Sequence, residues 1–135
     1  MLQFYFLSIA LNALAGYILI SGSEEGPLVF RSGFSLNDET FKLVVGVVSS
    51  LVGLMKILSV VEGDVPVIGD LLPAVAGILA GFTLIFEYYR SRTSLETTDH
   101  VAKIDRLLAA NKKVIGVAAI VSAVLHFLFP RVLLL

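Results

Sequence analysis

The chain contains no cysteine and no tryptophan. Without cysteine, disulfide bonds, thiolate catalysis and cysteine metal sites are excluded. The sequence also lacks a Gly-x-Ser-x-Gly elbow, a phosphate-binding loop, a His-Glu-x-x-His helix and a dinucleotide fingerprint. His126 has no second histidine or carboxylate three or four residues away, so a metal site finds no support. We therefore predict that the protein is not an enzyme and uses no cofactor or metal.

Charged residues are scarce. They make up 16% of the 135 residues, whereas 57% are hydrophobic and the mean hydropathy is +0.93. Soluble domains carry about 25% charged residues and about 45–50% apolar ones. One small soluble core cannot bury this much apolar surface, so the composition predicts an integral protein of the lipid bilayer. A net charge of −1, with no aromatics between the basic residues, argues against nucleic acid binding.

Four apolar stretches have the length of a bilayer span, and they lie at about 2–20, 41–61, 71–89 and 114–130. They predict an all-α integral membrane protein with four transmembrane helices in a single domain. No basic residue precedes the first stretch, so we expect it to be retained rather than cleaved as a signal peptide. Tyr5 and Tyr17 near its ends are placed like interfacial aromatics.

The two halves of the chain resemble each other. The aligned segments are 7–20 with 72–85 and 42–58 with 112–128. Leu14-Ala15-Gly16 returns as Leu79-Ala80-Gly81, and Lys56 aligns with His126. We interpret this as a duplicated helical hairpin, with one repeat at about 1–61 and the other at about 66–130. Convergence between membrane helices of similar composition is the alternative. Parallel repeats imply a pseudo-two-fold axis along the membrane normal.

The basic residues are concentrated in one loop. Six of the ten lysines and arginines lie between the third and fourth spans: Arg90, Arg92, Lys103, Arg106, Lys112 and Lys113. Because short basic loops stay in the cytoplasm, we predict that loops 21–40 and 90–113 are cytoplasmic and that both termini lie outside the cell membrane.

The same loop contains an amphipathic pattern. Apolar residues recur at helical spacing from Val101 to Leu108, opposed by charged residues such as Lys103 and Arg106. The pattern predicts a helix that begins near Thr93 or Thr98 and either lies on the inner leaflet or extends the fourth span. A docking surface for a cytoplasmic partner is the alternative interpretation.

Small residues form strips in three spans. The strips contain Gly69, Pro73, Gly77 and Gly81 in the third span, Gly46 and Gly53 in the second, and Gly116 in the fourth. Such strips let helix backbones approach closely. They predict either packing within one chain or an interface in a homo-oligomer or larger complex. Pro73 is expected in the first turn of its helix, where the missing amide hydrogen is tolerated.

Four polar side chains within or at the ends of the spans are candidate functional groups: Asn12, Lys56, Glu87 and His126. Asn12 is expected to hydrogen-bond across helices near the bilayer centre, where its repeat counterpart is a glycine. Lys56 is interpreted either as a snorkelling anchor or as part of a path on which it faces His126. Glu87 is interpreted as a member of a structural ion pair, with Lys42 as the candidate partner, or as a solvated interfacial acid; a proton-relay carboxylate is the alternative.

These features favour a non-enzymatic structural or accessory subunit that assembles through its glycine-rich helix faces. The alternative is a small homo-oligomeric transporter or channel with Lys56, His126 and Asn12 lining its path. A third possibility is a membrane anchor whose basic loop recruits a cytoplasmic protein.

Overall fold

The computed structural model describes residues 2–21, 38–58, 71–93 and 98–129. Five helices occupy these ranges: α1 (Leu2–Ser21), α2 (Glu39–Leu58), α3 (Leu71–Arg92), α4 (Asp99–Ala110) and α5 (Lys112–Leu128). No strand occurs in the part of the chain that the structure describes, so the all-α prediction is confirmed. The four long helices begin and end within one turn of the predicted spans.

Three of the helices, α1, α2 and α3, are long and apolar enough to cross a membrane. The helix α5 has 17 residues and follows α4 after a bend of 61°. Counted together, α4 and α5 make a fourth candidate span. The amphipathic segment is helical as predicted, and α4 buries none of its residues.

Local signals explain where the helices begin. The Asp38 side chain accepts a hydrogen bond from the Thr40 amide at 3.2 Å, which caps α2. Pro73 is the third residue of α3, so its missing amide hydrogen falls in the first turn as predicted. The helix α4 begins after Thr98, the second of its two predicted starts. The first predicted start extends into residues 94–97, outside the described ranges.

The helices pack in two equivalent pairs. The most extensive contacts join α2 to α3 and α1 to α5, while α1 and α3 meet in the centre. The α1–α2 and α3–α5 contacts are smaller and similar to each other, and the backbones of α2 and α5 stay apart. Exchanging α1 with α3 and α2 with α5 therefore preserves the packing pattern.

Glycines form the tightest contacts in both large pairs. A Cβ atom on Gly16 would lie 2.5 Å from the carbonyl oxygen of Gly116, and one on Gly81 would lie 2.5 Å from that of Gly46. Each helix pair thus approaches backbone to backbone at one glycine–glycine crossing. In the repeat alignment, Gly16 corresponds to Gly81 and Gly116 to Gly46.

Several polar side chains are buried inside the bundle and many large apolar ones are exposed outside it, the opposite of the distribution in a soluble protein. The buried polar residues are Ser8, Asn12, Ser49, Lys56, Thr83, Ser122 and His126. Large apolar side chains are exposed on all the long helices, among them Phe6, Leu51, Leu54, Val75, Phe82, Val121 and Phe127. Exposed apolar surfaces of this extent are typical of membrane or protein contact surfaces. The exposed surface is therefore compatible with a membrane location.

Candidate functional site

The most unusual feature inside the bundle is a contact between two basic side chains. The Lys56 Nζ lies 2.7 Å from the Nε2 of His126, within hydrogen-bonding distance. The two residues are only 6% and 1% exposed. Lys56 lies in the last turn of α2 and His126 in the last turn of α5. The backbones of these helices do not approach each other, so the two side chains bridge them.

Tyr5 completes this cluster from α1. Its hydroxyl donates a 2.8 Å hydrogen bond to the backbone carbonyl of His126. Its ring centroid lies 4.7 Å from the imidazole centroid and 6.0 Å from the Lys56 Nζ. The ring therefore packs against the histidine and faces the lysine at the outer limit of a cation–π contact. We call Tyr5, Lys56 and His126 the basic cluster.

Asn12 lies two helical turns from Tyr5 on α1 and is 2% exposed. Its Nδ2 donates a 2.9 Å hydrogen bond to the carbonyl oxygen of Pro73 on α3. Its Oδ1 lies 2.7 Å from where a Cβ atom on Gly77 would stand. The sequence predicted an interhelical hydrogen bond and a glycine opposite this amide, and the structure places both.

Two serines add polar groups near Asn12 and the basic cluster. The Ser49 hydroxyl of α2 donates a 3.2 Å hydrogen bond to the Gly77 carbonyl. The Ser122 hydroxyl of α5 is buried and finds no hydrogen-bond partner among the described residues. Ser122 stands one turn before His126, and residues four apart share a helix face. A buried hydroxyl without a partner is a candidate position for a bound water or a transported species.

An apolar layer follows these polar groups. The buried core cluster comprises Ala15, Ile18, Leu19, Val45, Ala80, Leu84 and Ala119. These residues occupy the half of the bundle opposite the basic cluster, and Ala15, Leu19, Ala80, Leu84 and Ala119 are 0% exposed. Most of the described buried polar residues thus lie in one half of the bundle, the polar half, whereas Thr83 and the small and branched apolar side chains lie in the other.

Charged residues also lie at the end of the bundle opposite the basic cluster. The partner predicted there for Glu87 was wrong. Its partner is Lys112 of α5, whose Nζ contacts the Glu87 Oε1, rather than Lys42 of α2. Lys42 and Glu87 both line a cavity at this end of the bundle. The alignment explains the error, because Lys112 is the repeat counterpart of Lys42 and reaches the same end of the bundle from α5.

The remaining predicted basic residues lie at the surface. Arg90, Arg92, Lys103, Arg106 and Lys113 are exposed, whereas Lys112 is half-buried. Arg90 approaches Asp105 at 3.7 Å, and Arg92 contacts Glu39 at 3.2 Å. These pairs tie α4 to α3 and α3 to α2.

The predicted glycine strips lie inside the chain. Gly46, Gly53, Gly77, Gly81 and Gly116 are all buried, and each faces atoms of a neighbouring helix. Gly53, for example, would place a Cβ atom 2.7 Å from the Ala74 carbonyl. Gly69 lies outside the described residues.

Sequence reasoning missed two residues in and near the basic cluster, Tyr5 and Ser122. Tyr5 was interpreted as an interfacial aromatic, and Ser122 was not singled out. The available signal was spacing, since Ser122 precedes His126 by one turn and Tyr5 precedes Asn12 by two.

Comparison with known proteins gives one full-length relative. The chain is 33% identical over all 135 residues to a protein of Treponema pallidum (strain Nichols) that is described as uncharacterized, and the alignment covers the whole of both chains. The chain belongs to the family of this protein. A protein-family model also matches residues 1–126. No solved structure matches the chain.

Proposed function

We propose that the chain is a multi-pass membrane protein with four spans, built from two duplicated helical hairpins, with α4 on the cytoplasmic surface. The exchangeable packing of α1 with α3 and of α2 with α5 supports duplication. The repeat alignment also relates the two glycine crossings to each other. The apolar outer surface supports a membrane setting, and the basic loop supports the proposed orientation.

Within this architecture we infer a small transport protein whose Lys56–His126 pair binds a proton. The buried 2.7 Å contact between Nζ and Nε2 carries this inference. Ionisable residues inside membrane-spanning helices are costly and typically belong to proton relays or ion pathways. Here two such residues come from repeat-equivalent positions and meet in the bundle interior.

The chemistry of the pair suits proton exchange. A hydrogen bond between these two nitrogens requires one of them to accept, so the contact cannot form when both groups carry all their protons. Adding a proton to the bonded pair would place two positive charges at contact distance, where their repulsion is strong. Proton binding and release therefore change the contact between α2 and α5.

The polar groups beyond the pair suggest a route. Ser122 and Asn12 extend the polar half of the bundle toward the apolar core cluster. The apolar core cluster separates these polar groups from the far end of the bundle. We propose that transport requires a rearrangement of the apolar layer, with the two tightly packed pairs, α1–α5 and α2–α3, moving relative to each other about the pseudo-axis.

The test is proton flux in proteoliposomes that contain a trapped pH-sensitive dye and a potassium diffusion potential. We expect the wild type to move protons, Lys56→Met to abolish the flux and Lys103→Met to retain it. The second variant removes an exposed lysine from α4 and serves as the matched control. Helix content and monodispersity must be unchanged in both variants. A wild-type protein that moves no protons under either sign of potential contradicts the proposal.

The accessory-subunit interpretation depends on glycine faces that are available to another chain. All the described glycines of the predicted strips instead contact helices of the same chain. We therefore favour the proton path over assembly through these faces. Cross-linking in native membranes distinguishes the two, because a subunit is expected to form stoichiometric adducts with a partner.

A further inference from the structure

A second polar site lies at the other end of the bundle. A cavity of about 390 Å³ opens between the ends of α2, α3 and α5, lined by Glu39, Lys42, Glu87, Tyr88, Arg90 and Lys112. Lys42 stands near the start of α2 and Lys56 near its end, so the cavity is at the opposite end from the basic cluster. None of its lining residues belongs to the proposed proton path.

The cavity contains cationic groups that its acids do not fully neutralise. Lys112 pairs with Glu87, Glu39 pairs with Arg92, and Arg90 approaches Asp105, which is not in the cavity lining, at 3.7 Å. Lys42 is half-buried and makes no ion pair with any described residue. Such an ammonium group, enclosed beside an open cavity, is suited to bind an anion.

The cavity also contains an acceptor that lacks a donor. The Oε1 of Glu87 contacts Lys112, but its Oε2 is buried and has no hydrogen-bond partner among the described residues. Buried carboxylate oxygens almost always accept a hydrogen bond. A ligand that satisfies the cavity therefore presents both an anionic group and a hydrogen-bond donor.

We propose that this cavity binds the headgroup of a membrane phospholipid, with the phosphate at Lys42 and Arg90 and a headgroup hydroxyl or ammonium donating to the Glu87 Oε2. The neighbouring helix α4 exposes Ile104 and Leu107, 47% and 65% exposed, beside its basic residues. A surface of this kind is suited to the headgroup region of a leaflet. The proposal rests on the membrane setting above and is independent of the proton path.

Native mass spectrometry of the full chain released from mild detergent tests the proposal. We expect the wild type and Lys103→Gln to retain one phospholipid per chain, and Lys42→Gln to bind it about tenfold more weakly, as for loss of a charged hydrogen bond. Lys103 does not line this cavity, so its variant controls for general loss of charge. Equal retention in Lys42→Gln and Lys103→Gln would overturn the proposal.

Two further arms identify the ligand. Phosphatidylethanolamine and phosphatidylglycerol carry headgroup donors, whereas phosphatidylcholine has none, so the first two should bind more tightly to delipidated protein. Equal binding of phosphatidylcholine overturns the role of Glu87. Soluble glycerol phosphate is the second probe. If the protein binds it in a Lys42-dependent way but retains no lipid, the site recognises a soluble phosphate ligand, and the lipid proposal is overturned. These readouts involve no flux, so they are separate from the test of the proton path.

Discussion

Gly16 and Gly81 make the same contact in the two halves of the molecule. Each would place a Cβ atom 2.5 Å from a glycine carbonyl on its partner helix, Gly116 for the first and Gly46 for the second. Backbone stands in the way in both cases and cannot rotate aside as a side chain can, and at Gly81 the Ser50 Oγ lies nearer still. Both crossings therefore depend on the absence of a side chain.

We expect Gly16→Ala and Gly81→Ala each to destabilise the folded protein by about 1–3 kcal/mol, because a methyl group forces the helices apart. Unfolding in mixed micelles of mild detergent and dodecyl sulfate, followed by circular dichroism, measures the change. Ala118→Val adds volume at an exposed position of α5 and is the control. Equal stability of all three variants would show that the crossings are not tight.

Hydropathy predicted the all-α fold and the bounds of the long helices to within one turn. Gly16 and Gly81 were placed at equivalent positions by their repeated Leu-Ala-Gly triplet, and a path in which Lys56 faces His126 was one of the alternatives that their alignment left open. These predictions succeeded because helix length and helix face are local properties of a sequence. Whether the glycine faces pack within one chain or between chains is not a local property, and the structure was needed to show the contacts within the chain.

The contact between Asn12 and Gly77 gives a second prediction. A methyl group on residue 77 would meet the Asn12 Oδ1 at 2.7 Å, whereas the next neighbour, the Ser49 carbonyl, is at an ordinary 3.4 Å. Gly77→Ala should therefore destabilise the protein by about 1–3 kcal/mol in the wild-type background. In an Asn12→Ala background the same change should have little effect. A double-mutant cycle over these variants, with unfolding in the same mixed micelles, measures this coupling, and additive effects would contradict it.

The partner of Glu87 shows where sequence reasoning stops. Lys42 and Lys112 occupy equivalent positions in the two hairpins, so depth in the membrane does not distinguish them. The choice depends on how closely α5 and α2 approach α3 at that level, which only the packed structure defines. Tyr5 was missed for a similar reason, because its hydroxyl bonds to a backbone carbonyl more than one hundred residues away.

The two ion pairs at this end should differ in strength. Glu87 and Lys112 have side chains only 29% and 15% exposed, whereas Glu39 and Arg92 are 48% and 60% exposed. We expect Lys112→Gln to lower the free energy of unfolding by about 1 kcal/mol or more, and Arg92→Gln by less than about 0.5 kcal/mol. Unfolding at low and high salt measures both. A larger effect of Arg92→Gln would show that burial does not determine how much each ion pair contributes to stability.

The absence of cysteine makes the proposed orientation directly testable. Single substitutions Lys103→Cys and Asp64→Cys introduce one thiol each into loops predicted to lie on opposite sides. In intact cells, a membrane-impermeant maleimide should label Asp64→Cys and leave Lys103→Cys unlabelled until the membrane is opened. Labelling of Lys103→Cys in intact cells would reverse the orientation. Labelling of both in intact cells would contradict an odd number of spans between them.

The Lys56–His126 contact allows its structural role to be separated from a role in transport. Removing one member leaves the other buried without this partner, so Lys56→Met and His126→Leu should each destabilise the protein. Replacing both with apolar residues leaves neither polar member of this contact behind, and double replacement of a buried charged pair is often nearly neutral. We therefore expect the double variant to be more stable than the sum of the single effects predicts, by about 1–3 kcal/mol. A stable double variant that still moves protons would assign the pair to folding alone, whereas a stable double variant without flux assigns it to the proton path.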